Sequence, residues 1–157
     1  MFKAFWRKSG FFVYLKDSSG EMKATLTFDT GAICSVLSIA AITDEPVDKE
    51  TLIKKLEDRA KQRRFVSASG TQMHGYLVRA SNMSLSGYPI DEFYYYLIVD
   101  VDEMVALLGN DFISCCSFTH EEKGDIEVNS FDKTIYGQSY HEAIDDSELQ
   151  LLIGELI

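Results

Sequence analysis

Met22-Lys23-Ala24-Thr25-Leu26-Thr27-Phe28 alternates apolar and polar side chains at the two-residue period of a β-strand, and it runs directly into Asp29-Thr30-Gly31-Ala32. A period of two places Met22, Ala24, Leu26 and Phe28 on one face, so this strand has to lie with that face on a core. It then delivers a single carboxylate, Asp29, into a tight loop where Gly31 permits close backbone approach. The chain leaves the loop through Ser35-Val36-Leu37-Ser38, again apolar. The Asp-Thr-Gly sequence occurs once, so any chemistry needing two such carboxylates must take the second from another chain.

The flanking sequence is mainly of strand type. Phe11-Phe12-Val13-Tyr14-Leu15, the turn residues Asp17-Ser18-Ser19-Gly20 and the alternating strand predict a hairpin. Further strands are expected over residues 64–68, 71–78, 83–85 and 93–99, with turns at Ser69-Gly70 and Ser86-Gly87, and a last hairpin from residues 125–130 and 133–136. Tyr94-Tyr95-Tyr96-Leu97-Ile98-Val99 suits a strand buried on both faces. One helix is expected over residues 48–64, capped by Asp48, with Leu52, Ile53, Leu56 and Ala60 as its apolar stripe. Asp111 reads as the cap of a short helix beginning after Gly109. From residue 141 onward there is no basic residue, and Ile144, Leu149, Leu152, Ile153 and Leu156 fall near helical spacing. The division is therefore a domain over residues 1–140 and an acidic C-terminal tail over 141–157, the tail predicted to dock on its own domain.

With 25 acidic against 15 basic residues, the formal net charge is −10, and nucleic acid is not the expected partner. The basic residues of 54–64 are interspersed with Glu57 and Asp58 and read as a solvated helix face. No apolar run reaches the roughly 20 residues a membrane-spanning helix needs, and the N-terminal residues make a poor signal peptide, so no membrane partner and a cytoplasmic location are expected. Three cysteines, two of them adjacent, form neither a disulfide framework nor a metal-ligand spacing, and His74, His120 and His141 add no ligand pattern. No metal or cofactor is expected.

Three features in order, the Asp29-Thr30-Gly31-Ala32 loop, a Gly-containing hairpin over residues 65–76 and Leu107-Leu108-Gly109-Asn110-Asp111-Phe112, resemble the retropepsin-like (retroviral-type) aspartic proteases, in the form common to bacterial and cellular single-lobe members. The resemblance spans residues 11–136. It implies a mainly β, single-lobe acid-protease β-barrel with one inserted helix and a short helix after the Leu-Leu-Gly element. It also implies a homodimeric aspartic endopeptidase whose partners are a second copy of the chain and a peptide or protein substrate. Asp29 would be catalytic and Thr30, Gly31 and Ala32 its support. Ser67, Ala68, Ser69, Gly70, Thr71 and Met73 would form the flap that covers substrate, with Gly75 as its hinge, and Leu107, Leu108 and Gly109 the second loop. Acid-active members place a hydroxyl where Ala32 stands; without it, activity is expected to extend toward neutral pH. The helix at 48–64 and the acidic tail depart from the compact retroviral form. The alternative is a catalytically silent dimer of the same fold that binds peptides or acts as an interaction module.

Overall fold

Asp17 closes the hairpin predicted over residues 11–28: its Oδ1 accepts from the Ser19 amide (2.9 Å) and hydroxyl (2.6 Å) and from the Glu21 amide (3.0 Å), while Gly20 takes φ +85°. The computed structural model, which describes residues 1–67, 69–122 and 124–157, pairs β2 (Gly10–Lys16) with β3 (Met22–Phe28) across this turn. The register sets Val13 opposite Leu26 and Leu15 opposite Ala24, with Val13, Leu15 and Leu26 fully buried. Met22, at the strand's start, stays exposed. The remaining strands are β1 (Phe2–Arg7), β4 (Val36–Ser38), β5 (Gln62–Val66), β6 (Gln72–Leu85), β7 (Tyr88–Ile98), β8 (Ala106–Leu108), β9 (Cys116–His120), β10 (Ile126–Phe131) and β11 (Ile144–Asp145). The protein is thus mainly β, built on an 11-stranded sheet in the order β11-β6-β7-β4-β8-β3-β2-β1-β10-β9, with β5 on β6. A further pairing of β2 with β6 brings the two halves of the sheet together.

Among the described residues four helices accompany it: α1 (Ile39–Ile42), α2 (Lys49–Glu57), α3 (Asn110–Ile113) and α4 (Asp146–Glu155). None among the described residues is long and apolar enough to cross a membrane. The Asp48 carboxylate accepts from the Thr51 amide (3.3 Å) and hydroxyl (2.6 Å), capping α2 as its sequence predicts, and Leu52 and Leu56 are buried. The helix ends at Glu57 rather than near residue 64. Residues 62–66 instead pair with β6, turning Arg63 and Phe65 inward, so tertiary pairing overrides the local helical signal. The basic cluster is thereby divided between a helix and a strand.

Two further expectations are corrected. Residues 72–85 form one strand rather than two, because β7 offers an unbroken partner from Leu85↔Tyr88 to Gly75↔Ile98 and the register never slips. Ser86 and Gly87, both at positive φ, close this hairpin. Residues 133–136 are turns, not a strand: the Asp132 carboxylate accepts from the Thr134 amide (3.0 Å), and β10 pairs with β1 and β9 instead. Phe93 to Val99 are all buried, as their apolar run requires. At the C-terminal end, β11 runs parallel to β6, and Leu149, Leu152 and Ile153 of α4 join the same core as Val13, Leu26 and Phe93. The Tyr95 hydroxyl donates to Asp146 (2.7 Å), and Lys23 pairs with the same carboxylate (2.7 Å).

Candidate active site

Strands β3 and β4, which enter and leave the Asp29 loop, are not paired to each other. β8 lies between them, parallel to β3 (Phe28↔Leu108) and antiparallel to β4 (Val36↔Leu107). The loop therefore spans the end of β8, and its backbone groups are satisfied there. The Asp29 amide donates to the Leu108 carbonyl (3.0 Å), the Asn110 amide to the Ala32 carbonyl (2.8 Å) and the Asn110 side-chain amide to the Thr30 carbonyl. Gly109 is required by close approach: a Cβ on it would lie 2.4 Å from the carbonyl carbon and oxygen of Cys34. The family of contacts makes residues 29–35 and 107–111 one unit.

Within the loop, Asp29 is half-buried and its Oδ1 accepts from the Gly31 amide (2.9 Å). A Cβ on Gly31 would crowd that oxygen at 3.2 Å. Thr30 and Gly31 are exposed, and Ala32 is half-buried. An open groove of about 300 Å³ runs from the loop to the β5–β6 hairpin, lined by Ala32, Ile33, Val66, Met73, Val105 and Leu107 among others. Most of that lining is apolar, and Ile33 and Val66 are 69% and 65% exposed.

Of the expected flap residues, Ser67 and Met73 line the groove, whereas Ser69, Gly70 and Thr71 form the exposed turn; Ala68 lies outside the described residues. The turn closes on itself through the Ser67 amide to the Thr71 carbonyl (2.9 Å) and the Gly70 amide to the Ser67 carbonyl (2.9 Å), with Gly70 at φ +86°. Pairing of β6 with β7 stops at Gly75, so beyond it the hairpin is a two-stranded ribbon. Gly75 itself is buried where a Cβ would meet the Phe65 ring at 2.8 Å and Tyr96 Cβ at 2.9 Å, which gives it a packing role. Of the second-loop residues, Leu107 reaches the groove, Leu108 is fully buried, and Gly109 wedges against Cys34.

Asp111 is not a helix cap. Gly109 occupies the N-cap position of α3, and Asp111 sits in its first turn with the carboxylate turned under the loop. Its Oδ1 accepts from both the Ser35 amide and hydroxyl (2.9 Å each), and its Oδ2 accepts from the Tyr140 hydroxyl (2.8 Å). The Ser35 hydroxyl oxygen in turn accepts from the Gly109 amide (3.0 Å). Burial pushes the Asp111 carboxyl above its ordinary value, opposed by the hydrogen bonds from Tyr140 and Ser35. The Tyr140 hydroxyl is also raised, by burial first and then by the Asp111 charge. Ser35 carried a usable sequence signal, a lone hydroxyl entering an apolar strand that needs a buried partner. Tyr140 carried none. Beside this network the buried Cys34 thiol accepts from Arg63 (3.2 Å), whose guanidinium lies over the Phe65 ring at 5.6 Å.

Neither a scan against protein-family models nor a search of curated proteins returns a match for this chain.

Proposed function

We propose that this chain is the protomer of a homodimeric aspartic endopeptidase with a retropepsin-like single-lobe barrel. The observation that carries the reading is the placement of β8: it separates the strands flanking Asp29, and Gly109 and Asn110 at its end hold the loop so that a half-buried carboxylate is presented beside exposed Thr30 and Gly31. The apolar groove between this loop and the β5–β6 hairpin supports an extended peptide as substrate, with alternate side chains directed into it.

Two Asp29 carboxylates, one from each chain, about 3 Å apart, cannot both ionise cheaply and share one proton, the behaviour known from aspartic-protease dyads. The ionised member takes a proton from a water held between the chains, and the protonated member donates to the scissile carbonyl oxygen. No covalent intermediate forms. Thr30, exposed beside Asp29, supports the partner's loop across the two-fold axis. Ala32 offers no hydroxyl to the aspartate, so activity extends toward neutral pH.

The test is cleavage of a mixed peptide library by wild type and by Asp29→Asn from acidic to neutral pH, with products read by mass spectrometry. Cuts that vanish with Asp29→Asn support the reading. Absence of any Asp29-dependent cut rejects the enzyme in favour of a silent dimer that binds peptides.

A further inference from the structure

Ser35 is 1% exposed, and both its amide and its hydroxyl are committed to one oxygen of Asp111. The second oxygen is held by Tyr140, 29 residues further along the chain. All these neighbours are donors, an arrangement matched to a carboxylate. Among the described residues Asp111 has no ion-pair partner, and the Arg63 guanidinium donates to the neighbouring Cys34 sulfur instead. An unpaired carboxylate buried in this way is destabilising compared with an apolar or amide side chain of similar size. Its place explains its presence. Through Ser35 it fixes one end of the Asp29 loop, and through Gly109, whose amide caps the Ser35 hydroxyl, it fixes the end of β8 that holds the other end.

We propose that Asp111, clamped by Tyr140, is the positioning residue of the Asp29 loop, tying the reacting carboxylate to a C-terminal segment outside the sequence motif. This rests on the reading of Asp29 as the reacting group. Neither Ser35 nor Asp111 lines the groove, so the pair acts on the loop's position and not on substrate contact. The titratable groups facing Asp111 are Cys34 from the loop, Tyr96 from β7, Cys115 from the end of α3, and Tyr136 and Tyr140 from the segment after β10. Each of these is raised from its ordinary value and stays neutral from acid to neutral pH, which leaves Asp111 as the group that titrates there; Arg63, from β5, is the fixed charge beyond Cys34.

The experiment compares wild type, Asp111→Ala, Asp111→Asn and Tyr140→Phe by kcat and KM across pH, with thermal melts and backbone hydrogen exchange over residues 29–35 in parallel. Asp111→Ala lowers kcat about 10–100-fold with KM changed by no more than about twofold, because a loop displaced by a fraction of an ångström loses geometry rather than binding. Asp111→Asn, which keeps an acceptor for Ser35 and turns its NH2 to the Tyr140 oxygen, restores kcat to within about threefold of wild type. Tyr140→Phe, the mildest change, leaves the acceptor for Ser35 in place and frees only the second carboxylate oxygen, so kcat falls by about 3–10-fold with KM changed by no more than about twofold; added to Asp111→Ala it lowers kcat no further, because both act through the same carboxylate. Wild-type kcat in both Asp111→Ala and Tyr140→Phe would overturn the proposal, as would losses that merely track the melts with no rescue by Asn. If wild type cleaves nothing, the protease reading fails by itself. In that case faster exchange over 29–35 in Asp111→Ala and Tyr140→Phe but not in Asp111→Asn sustains the positioning role, and unchanged exchange overturns it.

Discussion

The Asp29 loop is fixed by partners 74 to 80 positions away in sequence, Gly109, Asp111 and Asn110, whereas the flap turn is closed by hydrogen bonds that span no more than four residues. Both border the same groove. The loop sits on the sheet interior, with Leu108 fully buried beneath it, while the flap beyond Gly75 is a ribbon of two strands, an arrangement that is marginal by itself. Under the proposed function, the contrast fits what peptide hydrolysis would ask of each part. A carboxylate that shares a proton with its twin must stay within a fraction of an ångström of its place, and a cover that admits a chain must open.

Several substitutions sharpen or break that contrast. Gly109→Ala should have the largest effect, because its Cβ would meet the Cys34 backbone at 2.4 Å and no side chain can swing away. A loss of about 3 kcal/mol, or roughly 6–12 °C in Tm, is expected in thermal melts. Gly70→Ala, on the flap side, is strained only by its φ of +86° with open space around it, and should lose about 1 kcal/mol. Similar losses for the two would dissolve the distinction. Val66→Ser, at a flap position 65% exposed, should leave stability within about 0.5 kcal/mol and raise KM for apolar peptides.

The loop side also carries a pH signature. The Asp111 carboxyl is raised by burial, so between the ordinary carboxylate value of 3.8 and its folded value the native chain binds more protons than the unfolded one. The stabilisation linked to this group is full below that window and is lost as pH rises through the folded value. Denaturant titrations of wild type against Asp111→Asn should therefore show wild type losing ground as pH rises through the window and a constant difference above it. A difference that does not vary with pH would mean that Asp111 titrates as an ordinary exposed carboxylate.

How far the sequence could be read follows the same divide. The β2–β3 hairpin, the Asp48 cap, the Ser86-Gly87 turn and the buried run from Phe93 to Val99 each depend on residues close in sequence, and local periodicity and turn chemistry disclose them. The helix predicted through residue 64 stops at Glu57 because an edge of β6 was open to residues 62–66, a long-range fact with no local trace. In the site, Asp29, Gly31 and the Leu107-Leu108-Gly109 element were legible as motifs. Asp111 reads locally as a helix cap, since its partners Ser35 and Tyr140 come together only when β8 passes between β3 and β4.

The account depends most on the claim that each active unit contains two Asp29 carboxylates from two chains. It is tested most directly by unfolding and refolding wild type together with Asp29→Asn at equal amounts and measuring cleavage of a wild-type substrate at constant total protein. If one carboxylate per chain is used and mixed dimers are inactive, activity falls to about a quarter of that of pure wild type, following the square of the wild-type fraction. Activity falling only to about half, in proportion to the wild-type fraction, would mean that each chain works alone and would contradict the shared dyad.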